Sequence, residues 1–259
     1  MSKDKIKNME NPEHENADET GAFLAFVLLS ANEFDKEQLI GRLKNYWDLD
    51  IENESEEDVF FSINGMMASA SLMPVPVPEH EAETNATFNY MWPEAVETAK
   101  NHKAHIMVTV LGKDTDIFER GKLFTKIVAS CCHQKYATGV YTSHTVFEPG
   151  FYSDFADMLK EGELPIYNWV WIGLYHSDKG TCGCTYGMRV FGKDEMEVLG
   201  TDAQPSDVMD FLFSLVSYVL NGNITLNDGE TIGFSAEDKH KITRNEGFFV
   251  PGMTLKISY

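Results

Sequence analysis

The sequence predicts an α+β protein made of two tandem ferredoxin-like lobes, each in βαββαβ order, joined by a helix. Three observations predict it. Strand-like and helix-periodic runs alternate along the chain, the order of the first half recurs in the second, and a helical stretch separates the halves. One large mixed sheet with helices on one face gives nearly the same pattern and stands as the alternative. The expected organisation is a polar, disordered tail over residues 1–20, an N-terminal lobe over 21–113, a connecting helix over 114–136 and a C-terminal lobe over 137–259.

In the first lobe, Gly21–Leu29 is apolar on both alternating faces, as in a central strand covered on both sides. Asp35 is a helix N-cap candidate, with Gln38 three residues on as in a capping box; Leu39 and Leu43 follow at helical spacing. Val59–Ile63 and Met66–Met73 flank Asn64-Gly65, a pair suited to the two positive φ angles of a type I′ hairpin turn. Pro74-Val-Pro-Val-Pro78 can form neither ladder nor helix and predicts an extended arm. Pro93 opens a helix ending near His102, and His105–Leu111 reads as a strand with Ile106, Val108 and Val110 on one face. Asp116–Gln134 is the connecting helix.

The second lobe repeats the order. Thr138–Val146 reads as a strand and Tyr152–Lys160 as a helix. Asn168–His176 and Cys184–Phe191 read as strands, Pro205–Leu220 as a largely buried helix stopped by Asn221-Gly222, and Thr231–Ser235 and Met253–Ser258 as closing strands.

Composition narrows the function classes. Hydrophobic residues make up 43% of the 259, enough to build a core. The formal net charge of -20 repels phosphate backbones and attracts basic partners, so nucleic acid is not expected as a ligand. Residues 1–20 lack the apolar run of a secretory signal, and the apolar stretch at 21–29 is too short to span a membrane, so a cytoplasmic, membrane-free setting is expected.

The second half carries a distinctive string: Trp169-Val-Trp-Ile-Gly-Leu-Tyr175, Thr185-Tyr-Gly-Met-Arg-Val-Phe-Gly192, Glu195-Met-Glu197, Asp228-Gly-Glu-Thr-Ile-Gly233 and Pro251-Gly-Met-Thr-Leu-Lys-Ile-Ser-Tyr259. Over about residues 165–259 it resembles the bacterial family known as domain of unknown function 4261. The first half, through Phe26–Ser30, Met73–Pro78 and His102–Val108, is similar to the amino-terminal part of longer members. The resemblance implies a bacterial origin and a shared fold. It implies no activity and no catalytic residue.

Candidate residues have bland readings beside sharp ones. Cys131, Cys132, Cys182 and Cys184 with nearby histidines have the ligand types of a zinc site, but their spacing is wrong for one and packed cysteines are the simpler expectation. No metal or other cofactor is expected. His102 and His105 read as a helix cap and a strand residue pointing apart, or else as a polar cluster with Glu79, His80 and Glu81. Alternation from Tyr167 to His176 puts Val170, Ile172 and Leu174 on one face and Tyr167, Trp169, Trp171 and Tyr175 on the other. That aromatic face needs a cover, either core between lobes or a partner. Glu195 and Glu197 read as a solvated strand face. No catalytic residue is nameable. The expectation is a non-catalytic binding protein for a basic protein partner, immunity-type in its narrow form, using Trp169, Trp171, Tyr175, Tyr186, His102 and His105. The alternatives are an enzyme or small-ligand protein with its site between the lobes, and a homodimer pairing aromatic faces.

Overall fold

The computed structural model describes residues 21–259 except 234 and 236–238. The tail expected over residues 1–20 lies outside the described residues. The chain divides into two compact units, residues 21–171 and residues 172–259. Each is built on a six-stranded sheet, so the α+β class holds, with seven α-helices among the described residues.

The first sheet has the order β2-β3-β4-β1-β5-β6, made of β1 (Phe23–Leu29), β2 (Val59–Ile63), β3 (Met66–Met73), β4 (Ala104–Gly112), β5 (Ala137–Thr142) and β6 (Thr145–Phe147). Every one of its ladders is antiparallel. The sheet thus differs from a split βαβ lobe: β1 pairs with β4 and β5. Residues 137–147, expected to open the C-terminal lobe, complete this sheet instead. The central place of β1 follows from its backbone: both edges carry N–H and C=O groups that need partners, and ladders to β4 and β5 supply them on the two sides.

The β2–β3 turn is as expected, with Asn64 at φ 49° and Gly65 at φ 78°. On one face of the sheet, Phe23, Ala25 and Val27 of β1 and Ile106, Val108 and Val110 of β4 are buried. Helix α4 (Ile117–Cys131) packs there, with Phe124 5.5 Å from Phe23. Helix α1 (Lys36–Asn45) adds Leu39 and Leu43. Asp35 caps α1 through the Gln38 amide, 2.9 Å. The reciprocal half of the capping box comes from elsewhere: Gln134 Oε1 accepts the Asp35 amide at 2.8 Å, while Gln38 donates to the His133 carbonyl. On the opposite face, α2 (Glu81–Ala86) and α3 (Ala95–Asn101) cover Leu28, Tyr141 and Val146 with alanines and Val77.

Helices α5 (Pro149–Ala156) and α6 (Ile166–Trp169) close the first unit. The second sheet has the order β10-β11-β12-β9-β8-β7, with β7 (Trp171–Ser177), β8 (Gly180–Tyr186), β9 (Glu195–Thr201), β10 (Thr231–Ile232), β11 (His240–Glu246) and β12 (Met253–Ile257). Its β9–β12 ladder is parallel. Helix α7 (Pro205–Asn221) lies on it and buries Val208, Phe211, Leu212, Leu215, Val216 and Val219. A Cβ on Gly183 of β8 would come within 2.8 Å of Leu212 and Val208, so this glycine sets how closely α7 approaches the sheet.

Two expected strands are shorter. The run expected as a strand from Asn168 begins as α6 and enters β7 only at Trp171. The run expected over Cys184–Phe191 leaves the sheet at Tyr186, where Gly187 at φ 120° turns the chain into a 3-10 turn over Arg189–Phe191. Among the described residues, no helix is long and apolar enough to cross a membrane.

Candidate functional site

The proline arm brings the two candidate histidines to one task. Helix α3 ends at Asn101, ahead of both, and His105 sits in β4. His102 donates from Nδ1 to the Ala99 carbonyl and accepts the Val77 amide on Nε2 at 2.7 Å. His105 Nδ1 donates to the Val75 carbonyl at 2.9 Å, and its ring meets Phe26 edge-on at 5.1 Å. The expected divergence is therefore corrected. Both rings are buried and fasten the same arm, because a proline-rich segment has few amides and its remaining polar groups still need partners. Burial holds the His105 pKa below its ordinary value, against the Val75 hydrogen bond. Glu81, of the cluster weighed with these histidines, accepts from Tyr141 Oη at 2.6 Å.

The aromatic stripe is split. Trp169 ends α6 and lies outside any sheet. It is buried, and its Nε1 donates to Thr125 Oγ1 at 2.8 Å. Trp171 is also buried, 5.7 Å from Phe147 and 5.0 Å from Tyr90 by ring centroids. Both tryptophans belong to the first unit. Trp171, Phe147, Phe151, Trp92 and Glu148 line a cleft of about 40 Å³, room for a water or two. Trp171 Nε1 is buried without a hydrogen-bond acceptor.

Tyr175 and Tyr186 belong to the second unit, with their hydroxyls 3.2 Å apart. The Tyr175 ring stacks on Phe249 at 4.4 Å. Cys184 lies opposite Glu197 in the β8–β9 ladder, on the face turned away from α7. Glu195 and Glu197 are fully buried, which corrects the expected solvated face. Glu197 accepts the amides of Phe248, Phe249 and Val250 at 2.7–3.0 Å, the Thr254 hydroxyl at 3.1 Å and the Lys256 ammonium at 2.9 Å. Burial alone would raise its pKa. These donors outweigh burial and hold the carboxyl below its ordinary value. Glu195 accepts from the Thr185 hydroxyl and the Gly187 and Arg189 amides, yet burial dominates and lifts it to about 7. The two carboxylates anchor the turns at 187–189 and 248–250.

All four cysteines are free. Burial pushes Cys131 and Cys184 well up and Cys132 to about 12, which keeps them as thiols rather than reactive thiolates. Among the described residues, no three His, Cys, Asp or Glu side chains are arranged to hold a metal ion.

One surface was not singled out from the sequence. On the first sheet's face away from α4, Phe60, Ser69, Thr109 and Leu24 form one row across β2, β3, β4 and β1. Ser62, Met67 and Leu111 form the next row. Leu24, Met67 and Leu111 are 46%, 49% and 46% exposed. A strap over residues 48–58 runs along the β2 edge, where seven of eleven residues are acidic and six of those are exposed. The strap is ordered by its own bonds. Asn53 Oδ1 accepts the Phe60 amide, Glu54 Oε1 accepts the Ser62 amide, and the Glu54 amide donates to the Phe60 carbonyl. The available sequence signal was the charge run; alternation in β1 and β4 could not show which end of a face lacks a cover.

The family described as Domain of unknown function (DUF4261) matches residues 184–258, within the second unit and outside this surface. No curated protein and no solved structure matches the chain.

Proposed function

We propose that this is a non-catalytic binding protein whose partner is a basic polypeptide. The carrying observation is an apolar sheet face, with Leu24, Met67 and Leu111 each nearly half exposed, bordered by a strap of exposed carboxylates on a chain of net charge -20. Adjacent exposed apolar groups of this kind mark interaction sites, and complementary charge speeds association and selects partners. The groups best suited to acid–base chemistry have structural work instead. Both ring nitrogens of His102 are engaged, and Glu197 is saturated by internal donors. A bacterial cytoplasmic setting accords with four free thiols. In its narrow form, the partner is a basic toxin that the protein neutralises.

The test is affinity capture on the full chain at low and moderate salt, beside the variant Asp50→Asn/Glu52→Gln/Glu56→Gln/Glu57→Gln. A basic protein should be retained by the parent at low salt and lost by the variant. Recovery only of partners that ignore both salt and the substitutions refutes the reading.

A further inference from the structure

We infer that the open face of the first sheet receives a basic amphipathic helix of the partner, laid on Leu24, Met67 and Leu111 with its charged flank toward the acidic strap. This rests on the binding reading above and adds the mode of recognition. Three observations carry it.

The edge of β2 is closed to an added strand. Strand addition needs outward-facing amides and carbonyls, and here the Phe60 and Ser62 amides and the Phe60 carbonyl are already held by Asn53 and Glu54. A partner element must therefore pack by side chains on the face. That face is apolar without being greasy. Leu24, Met67, Leu111 and half-buried Phe60 surround Ser69 and Thr109, whose hydroxyls bond each other at 2.7 Å, which leaves one O–H for a water or a polar group at the edge of the occupant. Four strands about 4.8 Å apart make the patch roughly 15 Å wide, matching about ten residues of helix. The apolar stripe of an amphipathic helix is the complement of such a patch.

Charge identifies the occupant's chemistry. A second copy would bring another -20 and another acidic strap against the first, so self-association is opposed. Residues 1–20 hold six acidic and three basic side chains and no apolar stripe, so they do not fit either. A helix rich in Lys or Arg beside its leucines satisfies both the face and the strap.

The experiment uses the full chain and two labelled synthetic peptides of about 18 residues. One places leucines at i, i+3, i+4 and i+7 among lysines; the other has the same composition with the stripe scrambled. Affinities are read by fluorescence anisotropy at two salt concentrations, with methyl NMR shifts of Leu24, Met67 and Leu111 in the unsubstituted protein. The striped peptide should bind about tenfold or more tightly than the scrambled one and shift those methyls. Leu24→Thr/Met67→Thr/Leu111→Thr should erase the preference, while the strap variant weakens both peptides and flattens the salt dependence. Equal affinity for both peptides with unmoved methyls overturns the helix mode and leaves the basic-partner reading standing. Binding of neither peptide at low salt overturns both. A dimer in light scattering that the face variant dissociates assigns the face to a second copy and overturns the inference.

Discussion

Glu195 and Glu197 sit two residues apart on β9, both buried; burial pushes both pKa values up, yet their net shifts have opposite signs. Part of the difference is the number and charge of their donors, and part is the heavier desolvation of Glu195. Glu197 has a lysine and three successive amides, whereas Glu195 has one hydroxyl and two amides, too few to repay desolvation. With a pKa raised from 4.5 to about 7, the folded state holds a proton on Glu195 that the unfolded state has lost. Its contribution is therefore present at low pH and lost as pH rises through about 7. His105, His133 and His144 have lowered values, so their contributions are lost as pH falls below about 6.5. Replacing Glu195 by Gln isolates the first effect. Urea unfolding at pH 5 and pH 8 should show the variant gaining on the parent with rising pH, by up to about 3 kcal/mol. A difference that does not change with pH contradicts the assignment.

At the scale of elements, two contacts decide how a segment sits. Gly183 lets α7 close onto β8, and Gly183→Ala drives a methyl against Leu212 and Val208. The expected cost is about 1–3 kcal/mol in thermal or urea unfolding. A neutral result would mean α7 can slide outward freely. His102 holds the arm through the Val77 amide. In His102→Ala, hydrogen exchange at Val77 should rise while that of the β1–β4 ladder stays slow. Exchange rising equally in both would make His102 a general core residue rather than a fastener of the arm.

Over the whole molecule, the two faces of the first sheet make opposite demands on sequence. Val108 is fully buried in β4, while Leu111 of the same strand is nearly half exposed on the other face. Leu24→Thr, Met67→Thr and Leu111→Thr should each change unfolding free energy by about 0.5 kcal/mol or less, whereas Val108→Thr buries an unsatisfied hydroxyl and should cost roughly 1–3 kcal/mol. If the three surface substitutions unfold the protein, the open face is core after all.

The sequence by itself determined what is local. It set the Asn64-Gly65 turn, the Asp35 cap, the inward face of β4, the buried α7 and the α+β class, because each depends on neighbours within a few residues. Tertiary structure decided which strands share a sheet, since β5 pairs with β1 across more than a hundred residues, bringing its hairpin partner β6 with it, by ladder bonds that leave no periodic mark. It also decided the fate of the candidate residues. Trp169 alternates with its neighbours like a strand residue, yet ends a helix. His102 and His105 look divergent, yet meet on one arm. Glu195 and Glu197 look like solvated charges, yet are buried beneath turns they anchor. Alternation reports two faces, and only long-range packing tells which part of a face is covered. That is why the exposed end of the first sheet was invisible in the string of residues that forms it.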